Sequence, residues 1–171
     1  MRLFRLFWEI CLLRVRPQDL PCSASLLALS LAGYFAVGVL LALLQLPKGQ
    51  AFPAALLDTF MLSVLAWVVL WSRGLSGRYT QTLTALAGSG AMLGLLALPL
   101  LSWQMRSLQT SDDAVTLPAL LILIWTGWNL GVVAHILRHA LSTLFVVGVA
   151  LALAYMYIVW SIMNLIFTPA G

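Results

Sequence analysis

Five long apolar segments fill the chain after about residue 23, each long enough to cross a bilayer. A spanning helix needs about 20 predominantly apolar residues. The segments run over about 24–46, 53–72, 80–103, 115–137 and 140–166. Stretches such as Val146-Val147-Gly148-Val149-Ala150-Leu151-Ala152-Leu153 do not alternate apolar with polar residues, and they sit in runs far longer than a barrel strand. Helices are therefore expected. Charged residues make up 8% of the chain against 63% hydrophobic, with a mean hydropathy of +1.03, so there is too little polar surface to cover a soluble globule. The expected fold is all-α: a polytopic bundle of five transmembrane helices over 23–167, behind an N-terminal arm of residues 1–22. The connections are short, so any chemistry must use the bundle interior, the loops or the arm.

Lys and Arg near span ends mark the cytoplasmic side. Arg2, Arg5, Arg14 and Arg16 lie in the arm, Arg73 and Arg78 between the second and third spans, and Arg138 between the fourth and fifth. With five spans these seven share one side, against Lys48 and Arg106 on the other. The count places the N-terminus in the cytoplasm and the C-terminus outside, in a membrane of the bacterial inner type. The least marked boundary is the last. From Val115 to Phe167 the only polar break is His135-Ile136-Leu137-Arg138-His139, yet a single helix of that length would measure about 80 Å. A hairpin around Leu137–Leu141 is expected, with the helix broken between the two histidines.

On a helical wheel Arg2, Arg5, Glu9 and Arg16 share a face opposite Phe4, Phe7, Trp8, Cys11 and Val15. Residues 2–16 read as an amphipathic helix lying in the cytosolic interface, ended by Arg16-Pro17, with Arg14 reaching the headgroups by snorkelling. Its partners are anionic lipid headgroups. Basic residues mixed this closely with Phe, Leu and Trp argue against nucleic acid. Cys11 and Cys22 precede the first span and are expected as reduced thiols.

Polar groups inside spans are the default functional suspects. Asp58 is the one acid in a span, at a depth of about 8 Å by helical rise. It reads either as a proton or cation site, or as a carboxylate that faces an outer vestibule or pairs with Lys48. Asn129 falls mid-span beside Thr126, Trp125 and Trp128, as interhelical glue or as a ligand contact. His135 and His139 have the spacing of a metal-binding pair but no third ligand nearby, so neither a metal nor a cofactor is expected. Gly90-x-x-x-Gly94 and Gly127-x-x-x-Gly131 are small-residue faces for close helix packing, echoed by Gly148 with Ala152 and by Ala28, Ala32 and Ala36. Trp71, Trp103, Tyr155, Tyr157 and Trp160 read as an interfacial aromatic belt. There is no Walker loop, HExxH, CxxC or GxSxG, and no enzymatic activity is expected.

The short arm, the five closely spaced spans and Asp19-Leu20-Pro21 ahead of the first of them resemble the Yip1-domain superfamily over about residues 19–167. Eukaryotic relatives often carry Asp-Leu-Tyr-Gly-Pro there; Tyr and Gly are missing here, as is the long cytosolic region used with small GTPases. The resemblance implies a membrane scaffold or trafficking-like role, and the compact loops suit a bacterial member. The first expectation is thus a scaffold or accessory subunit working through lipids, other membrane proteins or self-association. The alternative is a small transporter or channel subunit using Asp58 and Asn129, with an intramembrane enzyme a distant third. A cavity lined by these polar groups from several helices would favour the transporter, and a dry core the scaffold.

Overall fold

The structure, a computed structural model, describes residues 2–110 and 116–167. The acidic pair Asp112-Asp113 and the tail 168–171 lie outside them, as do the side chains of Arg2 and Phe4. Six helices follow one another: α1 Arg2–Cys11, α2 Ala24–Gln45, α3 Lys48–Trp71, α4 Tyr79–Thr110, α5 Thr116–Leu141 and α6 Phe145–Phe167. The last five are long and apolar enough to cross a membrane. Among the described residues there is no strand.

Four helix ends differ from the sequence expectation. Helix α3 begins at Lys48, ahead of the 53–72 span, and carries Pro53 inside it. A proline there orphans only the carbonyl of Gly49 one turn back, in an exposed first turn where water can satisfy it. Helix α4 continues through Pro99 to Thr110, beyond the expected 103. Helix α5 runs to Leu141, past the expected 137, and the reversal falls at Ser142–Leu144, so α6 starts at Phe145 and not at 140. Ser142 takes the left-handed conformation (φ 54°), and Thr143 N donates to Arg138 O to close the turn. His135 and His139 therefore stand on one unbroken helix.

The spans form a ring. Helix α2 packs on α3, α3 on α6, α6 on α5, α5 on α4, and α4 back on α2, with α3 also touching α4. Helix α4 is the most enclosed, with every residue from Thr82 to Ser89 buried. In lipid the drive for this is close packing, not exclusion of water from apolar surface. Gly94 lets Val37 approach, and Gly90 lies under the ring of Tyr34, where an added Cβ would come within 2.7 Å. Gly148 packs on the Ala134 carbonyl. Gly127 and Gly131, expected to pack in the same way, have nothing within 4 Å and face away from the ring. Ala28, Ala32 and Ala36 are likewise exposed, because α2 turns Leu26, Ser30 and Val37 inward instead.

The arm occupies the wall between α4 and α5. Helix α1 stops at Cys11, short of Arg16, because Leu13 turns left-handed (φ 61°). Ile10 and Cys11 are buried against the core, and Phe7 covers Gly88. This level, Gly88 and Ser89, is about 15 Å along α4 from Tyr79. The irregular stretch that returns to the end of the bundle must have its backbone satisfied if it lies at membrane depth. Trp128 Nε1 donates to Cys11 O (3.1 Å), His135 Nε2 pairs with Val15 O (3.3 Å), and Gln81 Nε2 donates to Leu20 O (2.9 Å).

Candidate functional site

Inside the ring, three helices meet on one carboxylate. Asp58 of α3 accepts from Tyr34 Oη of α2 at 2.7 Å and from Tyr155 Oη of α6 at 3.4 Å. The first is a short, strong bond and the second a long one. Starting α3 at Lys48 places Asp58 about 15 Å into the helix by rise, deeper than the expected depth of about 8 Å. It is not paired with Lys48; its two oxygens are taken by tyrosines.

Every spanning helix lines the cavity around this group. It has a volume of about 170 Å³, walled by Tyr34 and Val37 of α2, Asp58 of α3, Gly90 and Gly94 of α4, Trp125 and Asn129 of α5, and Tyr155 of α6. The two glycines of α4 have a local purpose. With no Cβ at Gly90, the Cδ2–Cε2 edge of the Tyr34 ring fits against α4 and its hydroxyl reaches Asp58. Trp125 is held in place by donating from Nε1 to Leu93 O at 3.2 Å.

Two further cavities reach the same residues. One of about 400 Å³ leads to Asp58 from the end of the bundle that carries Gln45, Leu46 and Phe167, past Trp160 and Asn164. The other, about 410 Å³, lies between α5 and α6 and is lined by Trp125, Thr126, Asn129, Tyr155 and Trp160 among others. Asn129 borders both this space and the inner cavity, and among the described residues its amide makes no hydrogen bond. The interhelical glue expected of it is not formed.

Sequence reasoning finds Asp58 and Asn129 but not their company. Tyr155 reads in sequence as part of the interfacial belt, yet it lies mid-helix because α6 begins at Phe145. Tyr34 escapes a reading of the sequence, though a hydroxyl in the middle of an apolar run is the available signal. Elsewhere, Ser89 is buried and donates to Ala85 O in its own helix, and His139 accepts from Arg138. Neither faces the cavity. Of the basic residues, Arg5 pairs with Glu9 (2.8 Å), Arg14 and Arg73 are exposed, and Arg16, Arg78 and Arg138 converge at the opposite end from Lys48. A cavity of about 580 Å³ between α1, α4 and α5 is apolar, lined by Trp8, Leu93, Leu96, Leu121 and Ile124 among others.

No protein-family model, characterised protein or solved structure matches the chain.

Proposed function

We propose that this is an integral membrane protein that takes a small monovalent cation, the proton included, at Asp58, as a small transporter or channel subunit. The observation that carries the reading is a carboxylate-bearing cavity to which all five spanning helices contribute. A carboxylate at mid-membrane costs about 2.5–3.5 kcal/mol on insertion scales. A purely structural core would avoid that cost with an apolar side chain. Here the group is kept, given hydroxyl donors and left bordering two cavities. The rings of Tyr34, Trp125 and Tyr155 add negative π faces around the same space, which favour a cation. Asn129, free of protein partners among the described residues, supplies a carbonyl oxygen that can replace part of a cation's hydration. The role proposed is non-enzymatic.

The test is reconstitution. Proteoliposomes of the wild-type chain and of Asp58→Asn would be exposed to gradients of protons, Na⁺ and K⁺ on a solid-supported membrane. The expected result is a transient or steady current for at least one of these ions that Asp58→Asn abolishes. Indistinguishable responses from the two proteins to all three ions would end the reading.

A second reading, an accessory or scaffold subunit, is favoured by one observation: Gly127 and Gly131 present a small-residue face with open space in front of them. A helix of another membrane protein or of a second copy can approach such a face closely. The two roles are compatible in a channel or transporter subunit. In this proposal the end bearing Arg16, Arg73, Arg78 and Arg138 faces the cytoplasm of a bacterial inner membrane, and the C-terminus lies outside. Helix α1 is the amphipathic element, with Ile10 and Cys11 toward α4 and the Arg5–Glu9 pair turned away from it. The Yip1-domain likeness enters on the same footing, through the short arm and five closely spaced spans.

A further inference from the structure

At the basic end of the bundle a second polar space brings together groups from three separate parts of the chain. A cavity of about 540 Å³ is walled by Arg16, Gln18 and Asp19 of the arm, Arg78 before α4, Arg138 and His139 of α5, and Ser142 and Thr143 of the α5–α6 turn. Three guanidinium groups therefore face one space against a single carboxylate, Asp19. Among the described residues none of the three forms a salt bridge. That concentration of positive charge repels itself and is normally relieved by an anion.

The site is also built, not merely charged. Arg78 Nη1 donates to Ala140 O (3.0 Å) and to Ser142 Oγ (2.9 Å), which fixes one fork of its guanidinium on the turn. Arg138 is fixed by donating from Nε to His139 Nε2 (3.3 Å), and its guanidinium lies 5.7 Å from the Phe145 ring centroid. Gln18 is anchored by donating from Nε2 to His139 O at 2.6 Å. Two buried polar atoms are then left without a partner: Thr143 Oγ1 and Gln18 Oε1. Leaving such atoms unsatisfied costs about 1–3 kcal/mol each unless something else supplies the bond.

We infer that this cavity is a binding site for a phosphoryl group. Phosphoryl oxygens take the guanidinium protons and the Thr143 hydroxyl proton, while Gln18 Oε1 accepts from a hydroxyl on or beside the phosphorus. Planar guanidinium forks suit a phosphate better than a lone chloride. The phosphoryl group can belong to an anionic lipid, since basic pockets between spanning helices hold such headgroups, or to a soluble phosphate. The site stands apart from Asp58 and does not rest on cation binding there.

The experiment uses the full chain in neutral detergent, with native mass spectrometry to count retained lipid and thermal unfolding to follow soluble ligand. In one arm phosphatidylglycerol is offered against phosphatidylcholine; in the other, sodium phosphate against sodium chloride at equal ionic strength. The expected result is preferential retention of phosphatidylglycerol, or a higher unfolding midpoint in phosphate; whichever appears assigns the source. Arg138→Gln and Arg16→Gln should each weaken that response roughly fivefold to tenfold, from about 1 kcal/mol per basic residue. Arg16→Gln keeps the result readable if Arg138→Gln misfolds, because the exposed Arg16 side chain makes no hydrogen bond among the described residues. Arg73→Gln, exposed and outside the cavity, should leave the response unchanged. Equal weakening by Arg73→Gln would reduce the effect to general surface charge and overturn the assignment. So would an absence of preference for either phosphorus-bearing probe.

Discussion

The two tyrosines on Asp58 are not equivalent, and their bond lengths rank them. The 2.7 Å bond from Tyr34 is within the range of strong O–H···O bonds, whereas the 3.4 Å approach of Tyr155 lies beyond it. Hydrogen bonds to charged groups contribute about 1.5–3 kcal/mol. Tyr34→Phe should therefore lower the stability of the detergent-solubilised protein by about 1.5–3 kcal/mol, and Tyr155→Phe by less than about 1. Chemical or thermal unfolding of the two variants side by side would check the order; a larger loss in Tyr155→Phe would contradict the geometry. The cysteines separate in the same way. Cys22 is exposed, whereas Cys11 is buried against α4 with its thiol turned toward Ser89 O (3.9 Å), and burial pushes that thiol up to about 11. A pKa raised this far keeps it protonated and unreactive through neutral and mildly alkaline pH. Maleimide should modify Cys22 at neutral pH and reach Cys11 only after denaturation, as peptide mass mapping would show.

Helix by helix, the seams between elements follow from where the small residues point, and sequence alone does not carry that. Gly90-x-x-x-Gly94 and Gly127-x-x-x-Gly131 are the same motif, yet the first seats Tyr34 and Val37 of α2 while the second faces open space. The paired prediction has opposite signs. Gly90→Ala should displace Tyr34, break its hydrogen bond to Asp58 and cost about 1–3 kcal/mol through overpacking. Gly131→Ala in the isolated chain should be neutral or stabilise by up to about 1 kcal/mol, through helix propensity alone. Unfolding midpoints would test both, and a lower stability in Gly131→Ala would mean that its face is already occupied by another helix. The existence and type of the five spans are legible in sequence, since length and apolarity are local properties. The helix ends are not: Pro53 looks like a boundary unless the carbonyl it orphans can be accommodated. The arm is misread for a related reason. A wheel drawn over 2–16 assumes continuous helix, and Leu13 breaks it. The site is half legible: Asp58 and Asn129 stand out in an apolar background, whereas Tyr34 and Tyr155 become site residues only through the ring closure that brings α2, α3 and α6 together.

For the whole molecule the ring and the charge distribution constrain each other. In the ring of α2, α3, α6, α5 and α4 the helices alternate in direction along the chain, which puts the α3–α4 turn and the end of α6 at opposite ends of the bundle. Seven Lys and Arg residues then lie on the side of the arm and two on the other, the asymmetry that sets orientation in short-looped membrane proteins. The basic cavity depends on the same arrangement, since Arg78 and Arg138 belong to turns that must share a face with Arg16. A reporter that is active only in the cytoplasm, inserted in the exposed turn around Ser76-Gly77, should be active. The same reporter fused after Gly171 should be silent, and a periplasm-specific reporter should give the reverse. Reversing part of the asymmetry with Arg73→Glu and Arg78→Glu should reduce the oriented fraction, because charge near span ends, not the apolar segments, decides which side each loop takes. If both positions report one compartment, a helix fails to cross, the ring cannot close, and Asp58 loses the hydroxyls of Tyr34 and Tyr155 together.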